Sequence, residues 1–330
     1  MRWTLALLGS LSACTALGPT EADPRRDAGE TTVHPEPVRP LPSTSAQAQD
    51  SGPASPSPAR PPAADAFAQY PWLEGGAAGT PAPVDTLERR FSPPPGFTRV
   101  PLAPDGFGAF LRTLPLAAKG TPVKSYRGDE IRADGHPNVA AVVAIDIGKA
   151  DLQQCADAII RLHAEWRWSH GHRDQAYRTA SGTKLEFQRY ASGQRVRVDG
   201  NRIELVPSAK RAEPTHALFR TWLDDVFGWT NTGALARDGE RVALGALRPG
   251  DFFVLTGVPF GHTVLVLDMA KDAAGRRAVL LGQSFVPAQN VHVIRPEPAR
   301  AWFVIDEASG ALTTPFWDPF PFDSIRRLPE

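Results

Sequence analysis

Apolar and polar positions alternate with clear periods only beyond about residue 67, and there they predict a mixed fold. The strongest helical pattern follows Asp151. Leu152, Cys155, Ala156, Ile159, His163 and Trp166 recur at three- and four-residue spacing, which places them on one helical face. Asp151 is suited to cap that helix, Gly171 to end it, and Arg161 and Glu165 to pair one turn apart. Residues 218–227 predict a second helix, and residues 107–114 a short one stopped by Pro115. The β-branched, apolar run at 138–147 predicts a buried strand, and residues 195–206 alternate about Asp199-Gly200 as a hairpin does. Short apolar runs at 252–255, 263–268, 278–282, 291–294 and 302–305 predict the strands of a mostly antiparallel sheet. The class is therefore α+β, and no internal repeat interrupts it.

The first fifth of the chain reads differently. Between Thr15 and Ala66 there is no aromatic residue, and eleven prolines fall between Pro19 and Pro62. Such a stretch buries too little apolar surface to offset its ordering entropy, so it predicts a disordered tether with polyproline character. A coil of that length reaches roughly 40 Å. Ahead of it, Met1-Arg2 and the apolar run from Trp3 to Leu11 form a segment too short to span a bilayer, which takes about 20 residues. A signal peptide is the reading that fits.

Charge and cysteine content narrow the classes further. Lys and Arg number 36, as do Asp and Glu, so the formal net charge is zero and a nucleic-acid binder relying on a basic field is excluded. The two cysteines, Cys14 and Cys155, exclude a disulfide-stapled scaffold and a multi-cysteine zinc site. His163, His170, His172 and Asp174 gather near the end of the main helix, where they read as a solvated polar end rather than a metal site. No cofactor is implied.

Two resemblances add to this. Leu11-Ser12-Ala13-Cys14 resembles the lipobox of bacterial lipoproteins. The resemblance implies cleavage after residue 13, acylation of Cys14, and, with Thr15 next in line, an outer-membrane anchor. Residues 14–66 would then be the lipidated tether and residues 67–330 one globular domain. Within that domain, residues 151–166, Gly250-Asp251, residues 259–268 and residues 281–289, together with Arg112-Thr-Leu-Pro-Leu116, resemble the bacterial family called domain of unknown function 4846 over about residues 91–305.

The sharpest chemical expectation is a cysteine–histidine pair. Cys155 lies at a helix start, where the helix dipole lowers a thiol's pKa. His262 stands at the head of one strand and Gln283 at the end of the next. This order resembles the NlpC/P60 and wider papain-like cysteine hydrolases. The resemblance implies Cys155 as nucleophile, His262 as general base and Gln283 as the group orienting the imidazole, with Gln289 and His292 as alternatives to Gln283. Gln154 would be an oxyanion-hole donor, although Gln153-Gln154 replaces the usual residues before the nucleophile. Gly250-Asp251 reads as a turn into the preceding strand. Cys155 also shares an apolar face with Leu152 and Ile159, as an inert core thiol would. Two classes follow: an exported hydrolase cutting amide bonds in peptidoglycan or peptides, and a non-catalytic envelope module binding cell-wall or protein partners.

Overall fold

The computed structural model describes residues 67–74, 79–200, 202–257 and 260–330. The expectations for the signal peptide, Cys14 and the tether lie outside the described residues. Among the described residues, no helix is long and apolar enough to cross a membrane.

The labelled elements run in chain order as β1 (Phe97–Arg99), α1 (Phe107–Arg112), β2 (Val139–Val142), α2 (Cys155–Ser169), β3 (Gln194–Asp199), β4 (Arg202–Pro207), α3 (His216–Trp229), α4 (Thr232–Asp238), β5 (Glu240–Arg241), β6 (Phe252–Leu255), β7 (His262–Asp272), β8 (Arg277–Gln283), β9 (His292–Ile294), β10 (Phe303–Val304), β11 (Ala311–Thr314), β12 (Trp317–Pro321) and β13 (Ile325–Arg327). A nine-stranded antiparallel sheet of order β5-β13-β6-β7-β8-β9-β2 forms the centre, with β1 added to β7 and β10 to β8. The α+β class is as the sequence predicts. The hairpin at 195–206 forms as β3 and β4, paired Asp199 to Arg202.

Each face of the central strands is buried, which is why β7 and β8 read as continuous apolar runs rather than alternating ones. One face, carrying Leu265, Leu267, Leu280 and Val293, packs under the helices with Ala156, Ile159, Phe219 and Trp222. The other, carrying Phe253, Val264, Val266 and Leu281, packs against Leu312 and Phe320 of the β11–β12 hairpin. A fully buried side chain of this size contributes about 1.5–3 kcal/mol, so both clusters hold the sheet. A bulge between Val266 and Asp268 turns Asp268 inward. There its two oxygens accept from Arg99 Nε (2.7 Å) and Arg112 Nε (2.9 Å), tying the sheet to α1.

The main helix departs from expectation in two respects. Its N-cap is Gln154 rather than Asp151. The Gln154 side chain accepts from the Asp157 N–H, and Asp157 Oδ2 accepts from the Gln154 N–H at 3.0 Å, a reciprocal capping box. Asp151 Oδ1 instead accepts from the backbone of Ala288 at 2.7 Å. Secondly, α2 is buried all round; of its fifteen residues only Arg167 and Ser169 are not buried. Its polar residues therefore lie inside the domain, with Arg167 and Ser169 the exceptions.

Candidate functional site

The start of α2 borders a cavity of about 660 Å³, a size typical of small-molecule sites. Asp151, Gln154, Cys155 and Asp157 line one side, and Asn231, Thr232 and Arg237 of the α4 region line the other. Gly261 closes the wall beside Thr232. A Cβ there would lie 2.4 Å from Thr232 Oγ1 and from the Leu255 carbonyl, so only glycine allows the strand to enter this close.

Cys155 faces this cavity but is only 7% exposed. Backbone N–H groups of Ala156, Cys155 and Thr263 lie near its sulfur and favour the thiolate. Burial, with the nearby Asp157 carboxyl, outweighs them and pushes the thiol up to about 12. The helix-start activation expected from sequence does not prevail, because desolvation of the thiolate is the larger effect. At pH 7 the thiolate population is about three orders of magnitude or more below that of an ordinary thiol near 8.5. Iodoacetamide is expected to leave Cys155 unmodified at pH 7 in the folded domain and to label it once urea unfolds the chain. Rapid labelling of folded protein, followed by mass spectrometry of the 155-containing peptide, would contradict this.

His262 and Gln283 are in contact. His262 Nε2–H donates to Gln283 Oε1 at 2.9 Å, and Gln283 Nε2–H donates to His292 Nε2 at 3.3 Å. His292 Nδ1–H donates to the Asn290 carbonyl at 2.9 Å, which sets both tautomers. Burial pushes both imidazoles down to about 4. Cys155, however, is bonded to neither histidine. Side chains alternate along β7: Leu265 and Leu267 face the helices, while Val264 and Val266 face the β11–β12 hairpin. His262 keeps step with Val264, its ring packed against Phe285 (4.7 Å) and Trp317 (4.9 Å). The residue opposite the sulfur is Thr263, one position later. The expected arrangement of Cys155 with His262 is thus divided by the sheet, and a single residue of register separates the two outcomes.

The remaining expectations sort by contact. Gln154 is committed to the helix cap and to Asp151, at 3.1 Å, rather than held as an oxyanion donor. Gln289 donates to the Pro287 carbonyl, and His292 joins the histidine–glutamine chain. Gly250, at φ +97°, makes the expected turn, and Asp251 closes it by accepting from the Arg248 N–H at 2.8 Å and from Arg327. His163 is not at a solvated end. It is buried between the Tyr177 hydroxyl (2.8 Å) and the Pro329 carbonyl (2.9 Å), and burial pushes it down to about 3. Among the described residues no three His, Cys, Asp or Glu side chains gather as a metal site.

Two features carried little sequence signal. Asp157 is buried beside the cavity with Oδ1 unpartnered, and desolvation pushes its carboxyl up to about 8. Its place three residues after Gln154 is a capping-box spacing, which would have found it. Beneath α2, Arg161 donates to Asp146 (2.7 Å), Glu165 (2.8 Å) and Gln153 (2.9 Å), with no side-chain exposure. Only the Arg161–Glu165 pair was legible.

Together these define an α+β domain whose polar cavity opens at the N-terminus of a buried helix, with a separate imidazole chain on the opposite sheet face. Residues 87–327 match the family described as domain of unknown function (4846), and the chain belongs to that family. No curated protein and no solved structure gives a significant match to it.

Proposed function

We propose that the protein is a lipid-anchored module of the bacterial envelope that binds a polar ligand in the cavity at the start of α2 without hydrolysing it. One observation carries this: the only cysteine of the exported domain faces a backbone amide, Thr263 N–H, while His262 is packed on the far side of the same strand. A thiol-dependent hydrolase needs an imidazole within hydrogen-bond reach of the sulfur. The topological likeness to papain-like and NlpC/P60 enzymes extends to the order helix, strand, strand, but not to a nucleophile–base contact. The anchor rests on the lipobox-like Leu11-Ser12-Ala13-Cys14, and the tether after it is long enough to present the domain to cell-wall or peptide partners.

Purified peptidoglycan sacculi incubated with the domain distinguish the two classes. The expected result is that the domain sediments with sacculi, releases no soluble fragments, and sediments equally as Cys155→Ser. Fragments that appear with the native domain and vanish with Cys155→Ser would restore the hydrolase reading and overturn this one.

A further inference from the structure

We propose that the cavity at the start of α2 receives a carboxylate group of its ligand, held between Asp157 Oδ1 and the Arg237 guanidinium. This rests on the reading of the domain as a binding module, and adds the chemistry of what it binds.

The charged and titratable side chains lining the cavity are Asp151, Cys155, Asp157 and Arg237. Asp151 is satisfied, its Oδ1 accepting from Ala288 N–H at 2.7 Å and from Gln154 Nε2 at 3.1 Å. Asp157 is not. Its Oδ2 takes the Gln154 N–H, while Oδ1 is buried with no partner in a residue only 6% exposed. A buried oxygen left without a partner is costly, so a ligand that satisfies it recovers that penalty. The neutral carboxyl carries its proton on Oδ1, since Oδ2 already accepts. At neutral pH Asp157 is in that acid form, because burial raises it to about 8. It therefore offers an O–H donor that lacks an acceptor.

The surrounding groups are donors too. Arg237 makes one bond to the Ala180 carbonyl (3.1 Å) and, among the described residues, pairs with no carboxylate. Asn231 uses Oδ1 to cap α4 (2.8 Å), which leaves its Nδ2 to donate. The fifteen-residue helix α2 presents its positive end here. The Arg237 guanidinium without a carboxylate partner, the Asn231 Nδ2 and the helix end complement an oxyanion, and a carboxylate matches both the guanidinium fork and the acid O–H. The cavity exceeds what acetate fills, so a peptide C-terminus and a small free acid are the two sources of this chemistry.

Three probes, N-acetyl-glycylglycine, its C-terminal amide and acetate, titrated by calorimetry and by carbon-13 NMR of the Asp157 carboxyl, test it. The acid is expected to bind at least about tenfold more tightly than the amide, as loss of a charge-assisted bond implies. Tighter binding of the dipeptide than of acetate identifies a peptide C-terminus, and equal binding a small acid. Affinity should fall about tenfold from pH 6 to pH 9, as Asp157 ionises and repels the ligand. Asp157→Asn keeps the cap, since its carbonyl accepts from Gln154 N–H, and places an N–H donor where Oδ1 stood. It should retain affinity and lose the pH dependence. Arg237→Gln should weaken binding about tenfold or more. Equal affinity for acid and amide, or affinity that rises with pH as an amine ligand would give, overturns the carboxylate inference while leaving a binding module. No binding of any probe up to about 10 mM, with sacculi still retained, overturns it in the same way. Release of fragments from sacculi overturns the underlying reading instead.

Discussion

Arg161→Leu is expected to lower the unfolding free energy of the domain by about 3–5 kcal/mol, the usual cost of stripping one partner from a buried ion cluster. Arg161 and Glu165 are wholly buried, and Asp146 is nearly so. Burial by itself would raise Asp146, but Arg161 and Arg220 overcome it and hold the carboxyl well below the usual carboxylate range. Burial would likewise weaken the charge on Arg161, and the carboxylates of Asp146 and Glu165 more than offset it. Leucine strips Arg161 from both carboxylates, leaving Asp146 with Arg220 at 3.5 Å and Glu165 with His216, and it leaves Gln153 Oε1 without its 2.9 Å donor. In a domain of this size the loss corresponds to a fall in Tm of about 6–10 °C, measured by calorimetry. Adding Glu165→Gln to Arg161→Leu should recover part of it, because one stranded charge is then removed while the bond to His216 can persist. A single-variant loss under about 1 kcal/mol would show that the cluster is solvated in solution.

That cluster also shows what the residues reveal and what they withhold. Arg161 and Glu165 are four apart on a helix, so their pairing is local and legible. Asp146 and Gln153 join them only because the segment before α2 folds back against it, which no periodicity encodes. The capping box has the same character. Asp151 suits a cap by residue type, but its Oδ1 is taken by the Ala288 N–H, a partner more than a hundred residues away, and the helix starts after Gln154 instead. Local pattern located α2, β7 and β8 to within a few residues. It could not say which residues of β7 face the helix. Period two makes each alternate residue equivalent until the docking of α2 decides, and β7 is apolar on both faces, so its pattern contains no bias. The partner of His262 was hidden for a related reason. Trp317 lies in the β11–β12 hairpin, where Pro319 and Pro321 interrupt the alternation that marks a strand.

The division of the site by the sheet has a consequence for the way function is assigned by order along a chain. A cysteine at a helix start, a histidine at a strand head and a glutamine on the next strand satisfy the linear order of a cysteine hydrolase. They do so here while the thiol is pushed up to about 12 and the imidazole down to about 4, each by burial. Both groups are neutral at neutral pH, and neither activates the other. What stands at the cavity instead is a carboxyl, Asp157, whose Oδ1 is buried without a partner, which opposes folding. Unpaired buried groups of this kind are tolerated where a ligand completes them.

The folded domain should lose stability steeply as pH falls from about 6.5 toward 4. His163, His262 and His292 are each depressed by burial, to about 3, 4 and 4. In the unfolded chain they titrate near 6.5, so between roughly pH 4 and 6.5 the unfolded state binds up to about three more protons from these groups. Their stabilising contribution is complete above 6.5 and is lost as pH falls toward the folded values. Asp157 acts in the opposite sense. Raised to about 8, it keeps a proton that the unfolded carboxyl releases above 3.8, so its contribution declines as pH rises between those values. From these four groups the imbalance near pH 5 is about two protons, or ~2.7 kcal/mol per pH unit. Urea unfolding between pH 4.5 and 7.5 measures this slope. His262→Gln keeps an N–H donor toward Gln283 and removes one titrating group, so it should reduce the slope by about 1.4 kcal/mol per pH unit. The same substitution lies across the sheet from the cavity and should leave probe binding there unchanged. A variant that flattened the stability profile and also abolished ligand binding would join the two faces into one site, and the separation of His262 from Cys155 would then have to be wrong.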